Sequence, residues 1–186
     1  KSMELLTINN LTHYFGGLKA VSEFNVKVDP DTIHGVIGPN GAGKTTLFNL
    51  ITGLYRPSSG EIIFEGVNLV GKKPHEISRH GLARTFQNLR LFNDLSVIEN
   101  VRVGQLTGHS RGLKVNKKNS NHAGEQINNL LEIFGLTERA GEKASNLPYG
   151  MQRKLEIARA LATEPKLLLL DEPAAGMNQQ EVMALV

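Results

Sequence analysis

One eight-residue stretch constrains the fold of this chain more than any other feature of its sequence. Residues 38–45 read Gly-Pro-Asn-Gly-Ala-Gly-Lys-Thr, which matches the pattern G-x-x-x-x-G-K-[ST]. The apolar run 33–37 precedes this stretch and predicts a strand, whereas Leu47, Leu50 and Ile51 follow it at helical spacing. The sequence therefore predicts a strand, a glycine-rich loop and a helix in succession, which is the context that a phosphate-binding loop requires.

The residue types of this loop suit a nucleotide. Gly41 and Gly43 let the backbone turn so that successive N–H groups point at phosphate oxygens. Lys44 would reach the β- and γ-phosphates, and the hydroxyl of Thr45 would bind Mg²⁺. A plain glycine turn between strand and helix is the alternative, but it gives no reason for a Lys-Thr pair at this position. The predicted nucleotide-binding residues of the loop are Gly38, Asn40, Gly41, Ala42, Gly43, Lys44, Thr45 and Thr46.

An acidic pair follows a second apolar run. Residues 167–170 are four leucines, as expected of a strand buried on both faces of a parallel sheet. Asp171 and Glu172 come next, at the carboxyl end of the strand, where such sheets bind ligands. We predict that Asp171 acts on the magnesium ion and that Glu172 is the general base for the attacking water.

The rest of the chain indicates a mixture of strands and helices. Residues 3–28 alternate between apolar and polar side chains with a turn at Gly16-Gly17, which predicts antiparallel strands. Residues 88–163 are predicted to be mostly helical. A further strand is predicted at residues 61–64, and helices at residues 74–80, after the capping box Ser96-Val-Ile-Glu99, before Gly135, and over residues 153–161.

Composition excludes several classes of protein. The chain has 186 residues, of which 40% are hydrophobic, so it can bury a core and is not disordered. A formal net charge of +3 is too small to argue for nucleic acid by itself. The absence of cysteine excludes disulfides and thiolate metal sites. No apolar run approaches the roughly 20 residues of a membrane span.

Two segments leave alternatives open. Between residues 100 and 124 there are five basic and no acidic residues, which indicates a solvated loop or, alternatively, a contact with anionic lipid or a partner. The basic residues are Arg102, Arg111, Lys114, Lys117 and Lys118. Residues 179–186 predict a helix that continues past Val186, so we expect the chain to be a fragment truncated at its C-terminus.

Further stretches resemble one family. Arg84-Thr-Phe-Gln87 is similar to the Q-loop of ABC transporter nucleotide-binding subunits, and Leu147-Pro-Tyr-Gly-Met151 occupies the place of their Leu-Ser-Gly-Gly-Gln motif. With both phosphate-site motifs, the resemblance covers essentially the whole chain. It implies that Gln87 contacts Mg²⁺ or the attacking water and that Phe15, beside Tyr14, stacks on adenine. It also implies that Tyr149 and Gly150 contact the γ-phosphate of ATP held by another subunit.

Some positions depart from the family pattern. Pro148 replaces the serine of the motif and removes its hydroxyl and a backbone donor, Tyr149 replaces a glycine, and Asn178 stands where the family usually has aspartate. The resemblance also implies a switch histidine after a strand beyond Glu172, yet all six histidines precede Asp171. We therefore expect the catalytic apparatus within these 186 residues to be incomplete.

The segments "RTFQN", "LEIARAL" and "DEPAAGMN" are most similar to the ATPases of importers for branched-chain and other hydrophobic amino acids. This resemblance implies ATP and Mg²⁺ as cofactors and a second ATPase subunit, identical or paralogous, as partner. It further implies transmembrane permeases, indirectly a solute-binding protein, and no nucleic acid. The implied location is peripheral, at the cytoplasmic face of the inner or plasma membrane of a prokaryote.

The expected fold class is α/β. Within this class the resemblance implies the P-loop NTPase core of an ABC ATPase, with a mostly parallel sheet, an antiparallel N-terminal β subdomain and an inserted helical subdomain. Residues 1–186 form one domain, in which 1–87 and 164–186 are the nucleotide-binding core and 88–163 the helical subdomain. The alternatives are a nucleotide-gated dimerisation module with little turnover and a non-transport ABC ATPase of the DNA-repair or ribosome-associated kind.

Overall fold

The computed structural model describes residues 4–109 and 120–177. The chain divides into two compact units, with the boundary between Ser78 and Arg79. The division into a core and a helical subdomain at residues 88 and 163 stays a prediction.

The first unit is built on an antiparallel sheet, as the alternation of residues 3–28 predicts. The elements are β1 (Leu6–Phe15), β2 (Leu18–Val28), α1 (Lys44–Ile51), β3 (Ser59–Phe64), β4 (Val67–Asn68) and α2 (Pro74–Arg79). The strand order of the sheet is β2-β1-β3-β4, and every neighbouring pair is antiparallel. The alternating positions Leu6 and Ile8 on β1, and Ile62 and Phe64 on β3, are buried, so one face of the sheet forms the core.

The predicted strand before the glycine-rich loop is not formed. Residues 32–39 have no regular secondary structure, and the side chains of Ile33 and Ile37 are fully exposed, at 101% and 96%. A strand of a parallel sheet exists only where neighbouring backbones receive its N–H and C=O groups. This segment has no such neighbour among the described residues, so apolar character alone did not make it a strand.

The second unit contains a two-stranded parallel sheet and most of the helices. In this sheet β5 (Leu82–Arg84) pairs with β6 (Leu167–Leu169), and Arg84 lies opposite Leu169. Burial of residues 167–170 on both faces was predicted wrongly, because Leu169 is buried but Leu170 is 37% exposed. The helices are α3 (Val97–His109), α4 (Ser120–Ile133) and α5 (Tyr149–Leu161), with short 3₁₀ turns at Thr137–Arg139 and Ala144–Asn146.

The helices of this unit share one apolar core. Its members lie three or four residues apart on each helix, which is the spacing of one helical face. They are Val97 and Val101 of α3, Ile127, Leu130 and Leu131 of α4, and Leu155, Ala158 and Ala162 of α5 and its end, with Leu136, Ala144 and Leu147 from the connections.

Local signals place the helix ends correctly. Ser96 and Glu99 form the predicted capping box, since the Glu99 carboxylate accepts hydrogen bonds from the Ser96 amide and hydroxyl at 2.7 and 2.6 Å. Gly135, with φ of 65°, follows α4. Within the described ranges, no helix is both long and apolar enough to cross a bilayer. The prediction of a loop from residue 100 was wrong over residues 100–109, because these residues, with Arg102, belong to α3. The remaining predictions lie outside the described residues: Arg111, Lys114, Lys117, Lys118, Asn178 and the predicted helix at 179–186.

Candidate active site

The glycine-rich loop leads into the start of α1 without a side-chain cap. Gly43 is the N-cap residue of α1 and makes no side-chain cap hydrogen bond, and the first turn holds no acidic residue. The backbone donors at the helix start are therefore open to an anion. The Lys44 ammonium donates hydrogen bonds to the carbonyls of Gly38 and Pro39, at 2.8 and 3.0 Å, so the cation is folded over the loop.

Two glycines give the loop its path. Gly41 and Gly43 have φ of 83° and 88°, in the left-handed region that L side chains avoid. A Cβ atom at Gly43 would also collide with the carbonyl oxygen of Ala20 on β2. Thr45 is exposed and Thr46 is half-buried in the first turn of α1, whereas Asn40 and Ala42 are exposed in the loop. The sequence motif thus folds into the loop that it predicts, even though no strand precedes it.

Phe15 belongs to an aromatic cluster of the same unit. Its ring packs edge-on against His13 and Tyr55, at centroid distances of 4.7 and 5.4 Å, and the His13 and Tyr55 rings are stacked at 5.8 Å. Phe15 is 44% exposed, so part of its ring is open to a ligand. Tyr14 is the neighbouring residue on β1 and has Lys19 over its ring at 5.8 Å. His13 and Tyr55 are contacts of Phe15 that the sequence did not indicate.

Asp171 is a buried carboxylate with a fixed cationic partner. It is 4% exposed, and its Oδ2 atom accepts a hydrogen bond from Nη2 of Arg84 at 2.9 Å. The parallel register explains the pairing, because Arg84 lies opposite Leu169, two residues before Asp171. The guanidinium also lies 5.0 Å from the Phe86 ring. The ion pair therefore fixes the position of the Asp171 carboxylate beside β5.

Glu172 and Gln87 are exposed in the same unit as Asp171. Glu172 has φ of 48°, a conformation that costs a non-glycine residue free energy and that recurs at functional sites. Gln87 follows β5 by three residues. The turn after β6 thus buries the side chain of Asp171 and exposes that of Glu172.

The N-terminus of α5 carries the remaining two predicted site residues, Tyr149 and Gly150. Pro148 is its N-cap residue and makes no side-chain cap hydrogen bond. Tyr149 is 43% exposed, whereas Gly150 is buried in the first turn. The helix therefore starts at the glycine-containing stretch, as predicted, with uncapped backbone donors.

The predicted site residues fall into two sets, one in each unit. Phe15 and residues 38–46 lie in the first unit, and Gln87, Tyr149, Gly150, Asp171 and Glu172 in the second. Sequence reasoning gave no role to Arg84 or Arg153, although both contact the segment that carries the acidic pair. An arginine beside a predicted catalytic motif was the only sequence signal for either residue.

Comparison with known proteins identifies the family of this chain. The model of the ABC transporter family matches residues 21–175. The chain belongs to the ABC transporter family, and its fold is that of the family's ATP-binding subunits. ATP hydrolysis coupled to transport is characteristic of this family.

Several relatives are close in sequence. LivG of Escherichia coli K12, a high-affinity branched-chain amino acid transport ATP-binding protein, is 46% identical over 99% of this chain and 75% of its own length. BraF of Pseudomonas aeruginosa, described in the same terms, is 44% identical over 97% and 73%. The crystal structure of an ATP-binding cassette of an ABC transporter in its ADP conformation is 32% identical, with a TM-score of 0.82 over 98% of this chain and 74% of that one.

Proposed function

We propose that this chain couples the binding and hydrolysis of MgATP to the import of branched-chain amino acids. The observation that carries the nucleotide part is the loop at residues 38–45, whose left-handed glycines lead into the uncapped start of α1. The substrate class is supported by the similarity to LivG and BraF.

The proposed magnesium site uses few protein ligands. Among the described residues there is no cluster of three or more His, Cys, Asp or Glu side chains that could hold a metal. Mg²⁺ fits such a site because it commonly binds through one or two protein oxygens together with phosphates and waters. Thr45 and Gln87 would supply the protein oxygens, the Asp171 carboxylate would act through a water bound to the ion, and the metal would neutralise charge on the transferred phosphate.

The other roles in the proposed reaction are phosphate binding, adenine stacking and activation of the attacking water. Lys44 and the amides of residues 38–46 bind the phosphates, and Phe15 stacks on the adenine. Glu172 accepts a proton from the water that attacks the γ-phosphate in line, and Gln87 orients that water.

The proposed assembly contains two ATPase subunits, identical or paralogous, and two ATP molecules. Tyr149 and Gly150 of one subunit contact the γ-phosphate bound by the other, through the uncapped start of α5. The dimer acts with transmembrane permeases, and through them a solute-binding protein, at the cytoplasmic face of the membrane of a prokaryote. ATP binding closes the dimer and hydrolysis reopens it.

A second candidate is a nucleotide-gated dimerisation module with little turnover. Pro148 favours it, because the N-cap of α5 offers neither a hydroxyl nor a backbone donor to a phosphate. In this candidate ATP binds at the loop and closes the dimer, but Glu172 activates no water.

The two candidates are separated by Glu172→Gln. Transport-coupled hydrolysis requires the carboxylate, so the variant should bind a fluorescent ATP analogue normally while its rate of phosphate release falls by roughly 100-fold or more. Lys44→Ala should lose both the binding of the analogue and the release of phosphate. Glu132→Gln makes the same chemical change at an exposed position of α4 and should leave both measurements unchanged. Nucleotide binding without any wild-type turnover would support the dimerisation module instead.

A further inference from the structure

Arg153, in the first half of α5, is a buried arginine whose contacts the proposed reaction does not use. It is 1% exposed and is the largest fully buried side chain among the described residues. All five of its N–H donors are engaged, which is the full capacity of a guanidinium. The bonds are Nε to Pro173 O (3.2 Å), Nη1 to Phe86 O (2.5 Å) and Glu156 Oε2 (2.6 Å), and Nη2 to Asp171 O (2.7 Å) and Glu172 O (3.1 Å).

The four carbonyls belong to the two segments that carry the proposed catalytic side chains. Three are consecutive, from Asp171 to Pro173, and surround Glu172 on both sides. The fourth, of Phe86, immediately precedes Gln87. One planar group on α5 therefore fixes the main chain on which both catalytic side chains are mounted.

The backbone at Glu172 needs this support. Its φ of 48° is unfavourable for a residue with a side chain, and such a conformation persists only where its surroundings hold it. Arg153 binds the carbonyl of Glu172 and those of both neighbours, so the turn is held from one side by a single group. The amide of Ala175 closes the same turn by donating to the Glu172 carbonyl at 3.0 Å.

The charge of Arg153 is balanced within the same cluster. Glu156, 2% exposed, accepts its hydrogen bond and also accepts one from the Arg90 amide at 3.4 Å. Through Glu156, the ion pair therefore also binds the main chain at Arg90, three residues after Gln87. A separate contact joins α5 to the acidic segment, because the Tyr149 ring packs against Gly176. A Cβ atom added at Gly176 would lie 2.9 Å from Cε1 of Tyr149.

We propose that Arg153 is a positioning residue for hydrolysis. It ties the main chains at Glu172 and Gln87 to helix α5, so that nucleotide bound at the start of α5 sets the geometry of both side chains. The proposal rests on the proposed function for the roles of those two side chains. Arg153 itself touches neither substrate nor metal. Lysine cannot replace it, because an ammonium has three donors and lacks the planar fork.

The first test is hydrogen exchange measured by NMR on the full chain, wild type against Arg153→Lys. The reporter is the Ala175 amide, because it closes the turn that Arg153 holds. We expect it to exchange roughly tenfold faster in the variant, while amides of α4 keep their wild-type rates. Arg159→Lys is the matched control, since Arg159 lies on the same helix and donates to the Arg90 carbonyl but not to residues 171–173.

Two outcomes would overturn the proposal. Wild-type exchange at Ala175 in Arg153→Lys would mean that the guanidinium does not hold the turn. Equal acceleration in α4 would mean that Arg153 only stabilises the unit. If Arg153→Lys does not fold, the double variant Arg153→Met/Glu156→Leu removes both charges together, which buried pairs tolerate better than the loss of one partner. It should fold and show the same local acceleration, and wild-type exchange would again contradict the proposal.

A kinetic measurement supplies the second test. Arg153→Lys should lower kcat by roughly tenfold or more with little change in KM, because nucleotide binding lies with the loop and not with the turn. Arg159→Lys should retain both constants, and an unchanged kcat in Arg153→Lys would overturn the positioning role. If the wild type has no turnover, the proposed function fails, yet exchange at Ala175 still decides whether Arg153 holds the turn.

Discussion

Two residues with positive φ illustrate how single positions shape this molecule. Gly43 and Glu172 both adopt left-handed conformations, at 88° and 48°. At Gly43 the residue type predicts the conformation, because glycine adopts it without steric cost. At Glu172 it does not, because glutamate is uncommon there and only its surroundings hold it.

Gly43→Ala tests the first of these positions. The new methyl group would have an unfavourable φ and would collide with the Ala20 carbonyl, so we expect a loss of about 1–3 kcal/mol in stability and weaker nucleotide binding. Urea unfolding and titration with a fluorescent ATP analogue measure the two effects. Gly17→Ala is the control, since a Cβ atom at Gly17 meets nothing within 4 Å. Equal effects of the two variants would contradict the argument.

Arg84 gives a second prediction at the same scale. Its ion pair with Asp171 is buried, with side-chain exposures of 4% and 5%, so Arg84→Met should leave a buried carboxylate without its cation. We expect a loss of about 3–5 kcal/mol in the free energy of unfolding. Arg139→Met breaks the half-exposed pair with Glu142 and should cost at most about 1 kcal/mol. Similar unfolding midpoints for both variants would refute this ranking.

At the scale of elements, sequence signals predicted the structure correctly where the hydrogen-bond partners of an element lie close to it in the sequence. Helix α3 begins at the capping box and α4 ends before Gly135, since both signals act over a few residues. The strand at residues 33–37 was predicted wrongly because its hydrogen-bond partners must come from elsewhere in the chain. A hairpin such as β1-β2 carries its partner within the local sequence, so its alternation was sufficient.

The capping box predicts a pH dependence for α3. Hydrogen bonds from the Ser96 hydroxyl and amide lower the pKa of Glu99 from its ordinary value of 4.5. A carboxyl group with a lowered folded-state pKa stabilises the protein above its unfolded pKa, and this contribution disappears as pH falls through the folded value. Urea midpoints followed from about pH 7 to pH 3 should therefore fall less steeply in Glu99→Gln than in the wild type. Parallel curves would exclude the effect.

At the scale of the whole molecule, the proposed site residues are divided between two units and, in the proposed assembly, between two subunits. Phe15 and the loop belong to the first unit, and the acidic pair and the start of α5 to the second. A proposed active site that requires a second subunit should work only when the chain associates.

This requirement predicts a concentration-dependent activity. The rate of MgATP hydrolysis should rise faster than in proportion to protein concentration, because the fraction of chain in dimers grows with concentration. Phosphate release measured over a wide concentration range, with Glu172→Gln as the blank, tests this. A strictly proportional rate that the substitution still abolishes would show that one chain hydrolyses ATP without a partner.

Four features could be predicted from the sequence: the glycine-rich loop, the acidic pair at the end of β6, the alternation of the antiparallel sheet and the caps of the helices. These features depend on residues that are neighbours along the chain, so the pattern already contains their physical cause. Only the folded chain shows which buried cations contact the acidic segment, residues 171–173. Arg153 lies 67 residues from Phe86 and 18 from Asp171, and Arg84 lies 87 residues from its partner carboxylate. No periodicity encodes such distances, because only the folded chain brings these donors to the carbonyl and carboxylate oxygens that they bind.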